Sequence, residues 1–185
     1  MSKAIPQERR NRMKIAIIGY SGSGKSTMAK RISERFGLPV LYLDTVHWLP
    51  GWEEREREDG ERIVREFLDA NDAWVIDGNY RRYEHARRME EADYILFFDF
   101  PRVRCFFRAW KRAVRFRGKT RESITEGCDE KFDREFRRWI LKDGRTAAVR
   151  ARYKAIGEQY PEKFIRITND RQAAKTIALL EKACK

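Results

Sequence analysis

The sequence contains no apolar run approaching the 18 residues that a membrane-crossing helix needs, so no membrane span is expected. Its three cysteines, Cys105, Cys128 and Cys184, are odd in number, and no CxxC pair or Cys/His cluster occurs. That argues against a disulfide framework and a zinc site, and suits three ordinary thiols in a reducing cytoplasm. Internal repeats and low-complexity blocks are absent. Residues Met1 to Arg12 lack the apolar core of a signal segment. Residues 1–13 therefore read as a short basic tail, and 14–185 as one domain.

Charge is what the sequence has in excess. Lys and Arg number 41 against 29 Asp and Glu, giving +12 in 185 residues. Charged residues reach 38%, well above the usual quarter, while 42% apolar residues suffice for a core. Such a surface attracts anions, and phosphates are the obvious candidates. Nucleic acid and free nucleotides both carry them, and total charge does not choose between the two.

Strand-like and helix-like patterns alternate along the chain, which predicts a parallel sheet covered on both faces. Strands are expected at Lys14–Ile18, Val40–Leu43, Trp74–Ile76, Tyr94–Phe98 and Phe164–Ile167. Met28, Ala29, Ile32 and Phe36 share one side of a helix starting at Lys25 or Ser26 and stopped by Gly37. Further helices are expected around Ile63–Leu68, behind Pro101, over Phe132–Leu141 and Thr146–Ile156, and after Asn169 or Asp170. In open sheets of this kind ligands bind beyond the carboxyl ends of the strands. Asp44, Asp77 and Asn169 fall at such ends.

Gly19-Tyr20-Ser21-Gly22-Ser23-Gly24-Lys25-Ser26 matches G-x-x-x-x-G-K-[ST] in full, between a predicted strand and a predicted helix. Glycines at 19, 22 and 24 let the backbone curl and point its N–H groups at a phosphate. The helix N-terminus adds partial positive charge at the same point. Lys25 is expected on the β- and γ-phosphates, the Ser26 hydroxyl on Mg²⁺, and Thr27 on the α-phosphate. The guanine-reading N-K-x-D of GTPases is missing, which leaves a compact ATP-binding phosphotransferase.

Between Pro101 and Arg121 there is no acidic residue. Arg104, Arg108 and Arg112 recur every four residues and share one helical face. Val103, Phe107, Trp110 and Val114 form an apolar stripe facing away from them. This predicts a helix buried along that stripe and positive on the other side. The arginines either close over a nucleotide or form a solvated basic face.

IAIIGYSGSGKST at 15–27, VLYLDTVHWLPGW at 40–52, WVIDGNY at 74–80 and RGKTR at 117–121 together resemble the adenylate-kinase-like P-loop kinases. The likeness is greatest to the small proteins called DNA topology modulation proteins, and it runs from about Met13 to the last helix. It implies a three-layer P-loop NTPase sandwich with five parallel strands in the order 2-3-1-4-5. It also implies a substrate-binding insert at about 45–72 and a lid at about 115–130. Asp77 would hold Mg²⁺ through water, with a turn cap as the alternative. The Gly78 backbone would lie near the transferred phosphate. The adenylate-kinase sequence Phe-Pro-Arg is replaced by Asn79-Tyr80-Arg81, so the acceptor pocket has changed; Gly78 and Asn79 are expected on the acceptor side, and Arg81 keeps a cation for an acceptor phosphate.

Asp44 reads as the group that orients or deprotonates an acceptor hydroxyl, or as a strand-end cap. His47, Trp48 and Trp52 are candidates to line the acceptor pocket. The resemblance makes Arg112 the first phosphate-binding arginine of the lid, with Arg108, Arg117, Arg121 and Arg145 as further candidates. Asn169 would contact adenine or cap a helix. The T-S-G-D-x-x-R type motif of true adenylate kinases is missing, so AMP is not indicated as acceptor. The leading expectation is a cytoplasmic kinase using ATP and Mg²⁺ to phosphorylate a small hydroxyl compound, nucleoside or nucleotide. The competing ones are a nucleic-acid-binding P-loop protein and a non-catalytic ATP switch.

Overall fold

In the computed structural model, which describes residues 13–116 and 121–184, the alternating pattern becomes a βα chain. The order is β1 (Lys14–Gly19), α1 (Lys25–Phe36), β2 (Val40–Tyr42), α2 (Leu43–His47), β3 (Trp48–Leu49), β4 (Glu53–Glu54) and α3 (Arg57–Ala70). There follow β5 (Trp74–Asp77), α4 (His85–Glu91), β6 (Tyr94–Phe98) and α5 (Arg102–Arg115). The chain ends with α6 (Arg134–Leu141), α7 (Ala147–Gln159), β7 (Phe164–Ile167) and α8 (Asp170–Ala183).

Five strands form one parallel sheet in the order β2-β5-β1-β6-β7. With the small β3–β4 hairpin set aside, the large strands run 2-3-1-4-5 in chain order. Strand β1 occupies the centre and is buried on both faces, which is why it reads as an unbroken apolar run. Its residues alternate between two cores. Ile15 and Ile17 meet Met28, Ala29, Ile32 and Phe36 of α1. Ala16 and Ile18 meet Val64 and Leu68 of α3 and Met89 of α4. Ile32 is fully buried, so Ile32→Ala would cost about 2–5 kcal/mol.

Several elements differ from expectation for local reasons. The second strand stops at Tyr42 and Asp44 lies in the first turn of α2. The polar stretch around Pro50 and Gly51 is the tip of the antiparallel β3–β4 hairpin. Helix α6 starts at Arg134 because the Asp133 carboxylate accepts from the Phe136 amide at 2.8 Å, a side-chain cap that ends the preceding extended chain. Helix α7 runs to Gln159, capped at its start by Thr146.

The largest departure is in α5. Val103, Phe107, Trp110 and Val114 are exposed, at 58%, 53%, 47% and 61%. The helix buries Cys105 and Ala109 instead. Its backbone runs so close to the Gly19–Gly24 loop that only small side chains fit between them. A Cβ built on Gly22 would stand 2.5 Å from the Cys105 carbonyl oxygen. Among the described residues no helix is long and apolar enough to cross a membrane.

Candidate functional site

A cleft of 2280 Å³ opens at the carboxyl edge of the sheet. Its walls include the loop between β1 and α1, Asp44 of α2, Asp77 at the end of β5, and Arg108 and Arg112 of α5. Parallel strands deliver these residues to one edge because every crossover helix returns the chain to the opposite edge.

The loop from Gly19 to Gly24 is a backbone cradle. Gly22 has φ 74° and Gly24 φ 102°, both in the region that disfavours side chains. Ser23 is fully buried, and its hydroxyl donates to the Tyr20 carbonyl at 2.6 Å. Lys25 Nζ donates to the same carbonyl at 3.0 Å, which folds its ammonium over the loop. The Arg108 guanidinium donates to the Ser23 carbonyl at 2.7 Å and lies 4.5 Å over the Phe100 ring. The Ser21 hydroxyl accepts from Trp139 Nε1 at 3.2 Å. Thr27 is exposed at the start of α1.

Asp77 lies beneath the cradle and is 5% exposed. Its Oδ1 is buried and has no hydrogen-bond partner. Burial pushes its carboxyl above the usual range, opposed by the Lys25 charge and the Ser26 hydroxyl. Among the described residues no cluster of three His, Cys, Asp or Glu forms a metal cage. Mg²⁺ needs none, since it takes one or two protein oxygens and completes its shell with phosphate and water. An orphaned carboxylate oxygen beside a serine hydroxyl fits that ion.

On the facing wall, Asp44 Oδ1 accepts from the Tyr80 hydroxyl at 2.9 Å. Burial, and then the Asp44 charge, push the Tyr80 phenol upward, so it stays a neutral donor. His47 is 4% exposed; its Nδ1 lies 3.0 Å from the Tyr83 hydroxyl. Its ring packs 4.4 Å from Trp48 and 4.5 Å from Tyr80. Burial lowers its pKa, and neutral imidazole is the form this packing accommodates. His47 thus organises an aromatic wall. Trp48 packs edge-on against Trp52, which takes the left-handed φ of 67° and donates through Nε1 to the Asp129 carbonyl at 3.1 Å.

Arg81 lies exposed on the rim of the cleft. Asn79 is engaged elsewhere: its amide bonds the backbone of Gly19 twice, so in this structure it braces the cradle. Gly78 has φ 142°, and a Cβ there would meet Leu43 at 2.7 Å.

The predicted lid residues divide. Arg117 lies outside the described residues. Arg112 Nε donates to Glu130 at 2.9 Å, and Arg121 Nε donates to the other Glu130 oxygen. Burial, together with the nearby Arg121 charge, holds the Arg112 guanidinium below its ordinary pKa. Arg145 donates to the Phe100 carbonyl at 2.9 Å and sits 3.8 Å over the Tyr20 ring, behind the loop. Asn169 Oδ1 accepts from the Gln172 amide at 2.9 Å, which is the helix-cap alternative for that residue. Arg104 and Arg108 both pair with Asp170 beside it.

Sequence reasoning missed Tyr80, Glu130 and Arg88. Arg88 is fully buried and donates to the carbonyls of Tyr83 at 2.8 Å, Tyr80 at 2.6 Å and Gly78 at 3.4 Å. It pins the loop that leaves Asp77. No local pattern announces such a residue, because its partners are backbone atoms. No protein-family model matches this chain.

Proposed function

We propose that the protein binds ATP with Mg²⁺ in the Gly19–Thr27 cradle and transfers the γ-phosphoryl group to a hydroxyl of a small acceptor on the Asp44 wall. The observation that carries this reading is Asp77: a buried carboxylate with a free oxygen, under a glycine cradle that also holds Lys25 and Ser26. A purely structural aspartate would have its oxygens satisfied.

The roles follow from the chemistry of the groups. Backbone amides of the cradle and the Lys25 ammonium would bind the β- and γ-phosphates. Ser26 and Asp77 would hold Mg²⁺, which when bound neutralises charge between those phosphates. Asp44 gives one oxygen to Tyr80, leaving the other to orient an acceptor hydroxyl and take its proton. Arg112 and Arg121 would stabilise charge on the moving phosphoryl group. The aromatic wall of His47, Trp48, Trp52 and Tyr80 would pack against the acceptor, and Arg81 on the rim would meet any phosphate that the acceptor carries.

The nucleic-acid alternative draws on the +12 charge. Of the α5 arginines that it would use, Arg108 and Arg112 line the cleft, with Arg112 on Glu130, and the exposed Arg104 shares Asp170 with Arg108. That pairing favours a nucleotide site over an open basic track. An ADP-release assay across nucleosides, nucleotides and small alcohols tests the kinase reading. Turnover that survives in folded Lys25→Ala, or wild-type protein that binds no Mg·ATP, would defeat it.

A further inference from the structure

Glu130 lies in the irregular stretch before α6, with 4% of its side chain exposed, and has no role in the reading above. Its two oxygens take one arginine each, Arg112 and Arg121, both through Nε. Arg121 also gives Nη1 to the Ser123 hydroxyl. Among the described residues the remaining Nη groups of both arginines have no hydrogen-bond partner, and both side chains line the cleft. The carboxylate therefore grips the inner edges of two guanidiniums and leaves their outer edges available. Two guanidiniums side by side repel, and the Arg121 charge adds to burial in holding the Arg112 pKa down. One carboxylate between them offsets part of that repulsion and leaves one net positive charge.

The backbone that carries Glu130 is itself fastened to the acceptor wall. The Thr125 hydroxyl donates to the carbonyls of Trp48 and Thr45. The Gly51 amide donates to the Gly127 carbonyl at 3.2 Å, and Cys128 Sγ donates to the Leu49 carbonyl at 3.1 Å. The Trp52 indole reaches the Asp129 carbonyl, and the Lys131 ammonium stands 4.8 Å over the Trp52 ring. Glu130 is thus held by the β3–β4 hairpin, not by the helix that bears Arg112.

We propose that Glu130 is a positioning residue that holds Arg112 and Arg121 as a pair for the γ-phosphoryl group, an inference that rests on the ATP-kinase reading. The opposite role, a carboxylate that competes with phosphate for the arginines, predicts the reverse sign when the charge is removed. A buried carboxylate anchored away from the helix that bears Arg112 is suited to hold the pair in place, since it does not move with that helix.

Calorimetric titration of the full chain with Mg·AMP-PNP and with Mg·ADP separates the outcomes, because only the former carries a γ-phosphoryl mimic. Glu130→Gln should weaken Mg·AMP-PNP at least tenfold and Mg·ADP less than threefold. Glu130→Asp, which keeps the charge but draws it back by one methylene, should show a smaller selective loss of about threefold. The Asp variant also decides the matter if the Gln variant does not fold. Equal weakening of both nucleotides, unchanged binding, or tighter Mg·AMP-PNP binding would overturn the inference while leaving the kinase reading intact. Wild-type protein that binds neither nucleotide would overturn both.

Discussion

Asn79 closes both ends of its side-chain amide on one residue: Oδ1 accepts from the Gly19 amide at 2.8 Å, and Nδ2 donates to the Gly19 carbonyl at 2.6 Å. The loop after β5 is thereby tied to the point where β1 opens into the Gly19–Gly24 cradle. Asn79→Ala removes both bonds and should cost about 1–3 kcal/mol in urea unfolding. Mg·AMP-PNP binding should weaken roughly tenfold, by the loss of about 1.4 kcal/mol of cradle preorganisation. If Asn79 served the acceptor instead, the variant would raise the acceptor KM and leave nucleotide affinity alone.

Asp44 and Tyr80 supply a cleaner test of chemistry. Asp44→Asn keeps the shape and the Tyr80 contact but lowers basicity. Phosphoryl transfer should fall by roughly 10²–10⁴ while Mg·AMP-PNP affinity stays within about threefold. Tyr80→Phe should fall less, since it leaves the carboxylate in place. The check is ADP release with an acceptor found by the screen; full activity in Asp44→Asn would reduce Asp44 to a turn residue.

Arg88 tests the structural half of the site. It serves three carbonyls from a fully buried position. Its pKa is pushed down to about 10 by burial. Arg88→Met should lose about 3–5 kcal/mol in urea unfolding, because the carbonyls of Gly78, Tyr80 and Tyr83 are left without their donor. Arg88→Lys should recover only part of that, since one ammonium cannot span all three. A loss under 1 kcal/mol for the Met variant would mean that the loop has other support.

Acid should weaken the fold through His85, whose pKa is lowered from 6.5 to about 4 by burial and by the charges of Arg88 and Arg81. Between those values the unfolded chain holds a proton that the folded chain does not. Stability from this group is therefore complete above pH 6.5 and lost as pH falls toward 4. With its partial exposure discounted, the loss is on the order of 1–2 kcal/mol. Urea midpoints measured across this window should slope downward with acid, and His85→Gln should flatten the slope. An unchanged slope in that variant would assign the acid sensitivity to other groups, of which His47 is the next to examine.

What was legible in the chain was local. The five large strands and the α1 helix follow from short apolar runs, their period and the glycines beside them. The curl of the cradle follows from eight consecutive residues in which glycines stand where the backbone must turn. The α5 stripe misled because periodicity reports the largest apolar side chains, whereas contact with the Gly22 loop selects the smallest, Cys105 and Ala109. Glu130 was illegible because its partners lie 18 and 9 residues away and meet it only through folding. Asn79 was assigned to the acceptor side because its bond partner is 60 residues distant in the chain.

Trp139 gives the molecule an intrinsic optical gauge. Its indole nitrogen donates to the Ser21 hydroxyl, and the residue is 48% exposed. Anything that settles on the loop must change the polarity around that fluorophore. Emission recorded on unlabelled protein, with Trp139→Phe as the blank for the other tryptophans, would follow loop occupancy in real time before any substrate is known.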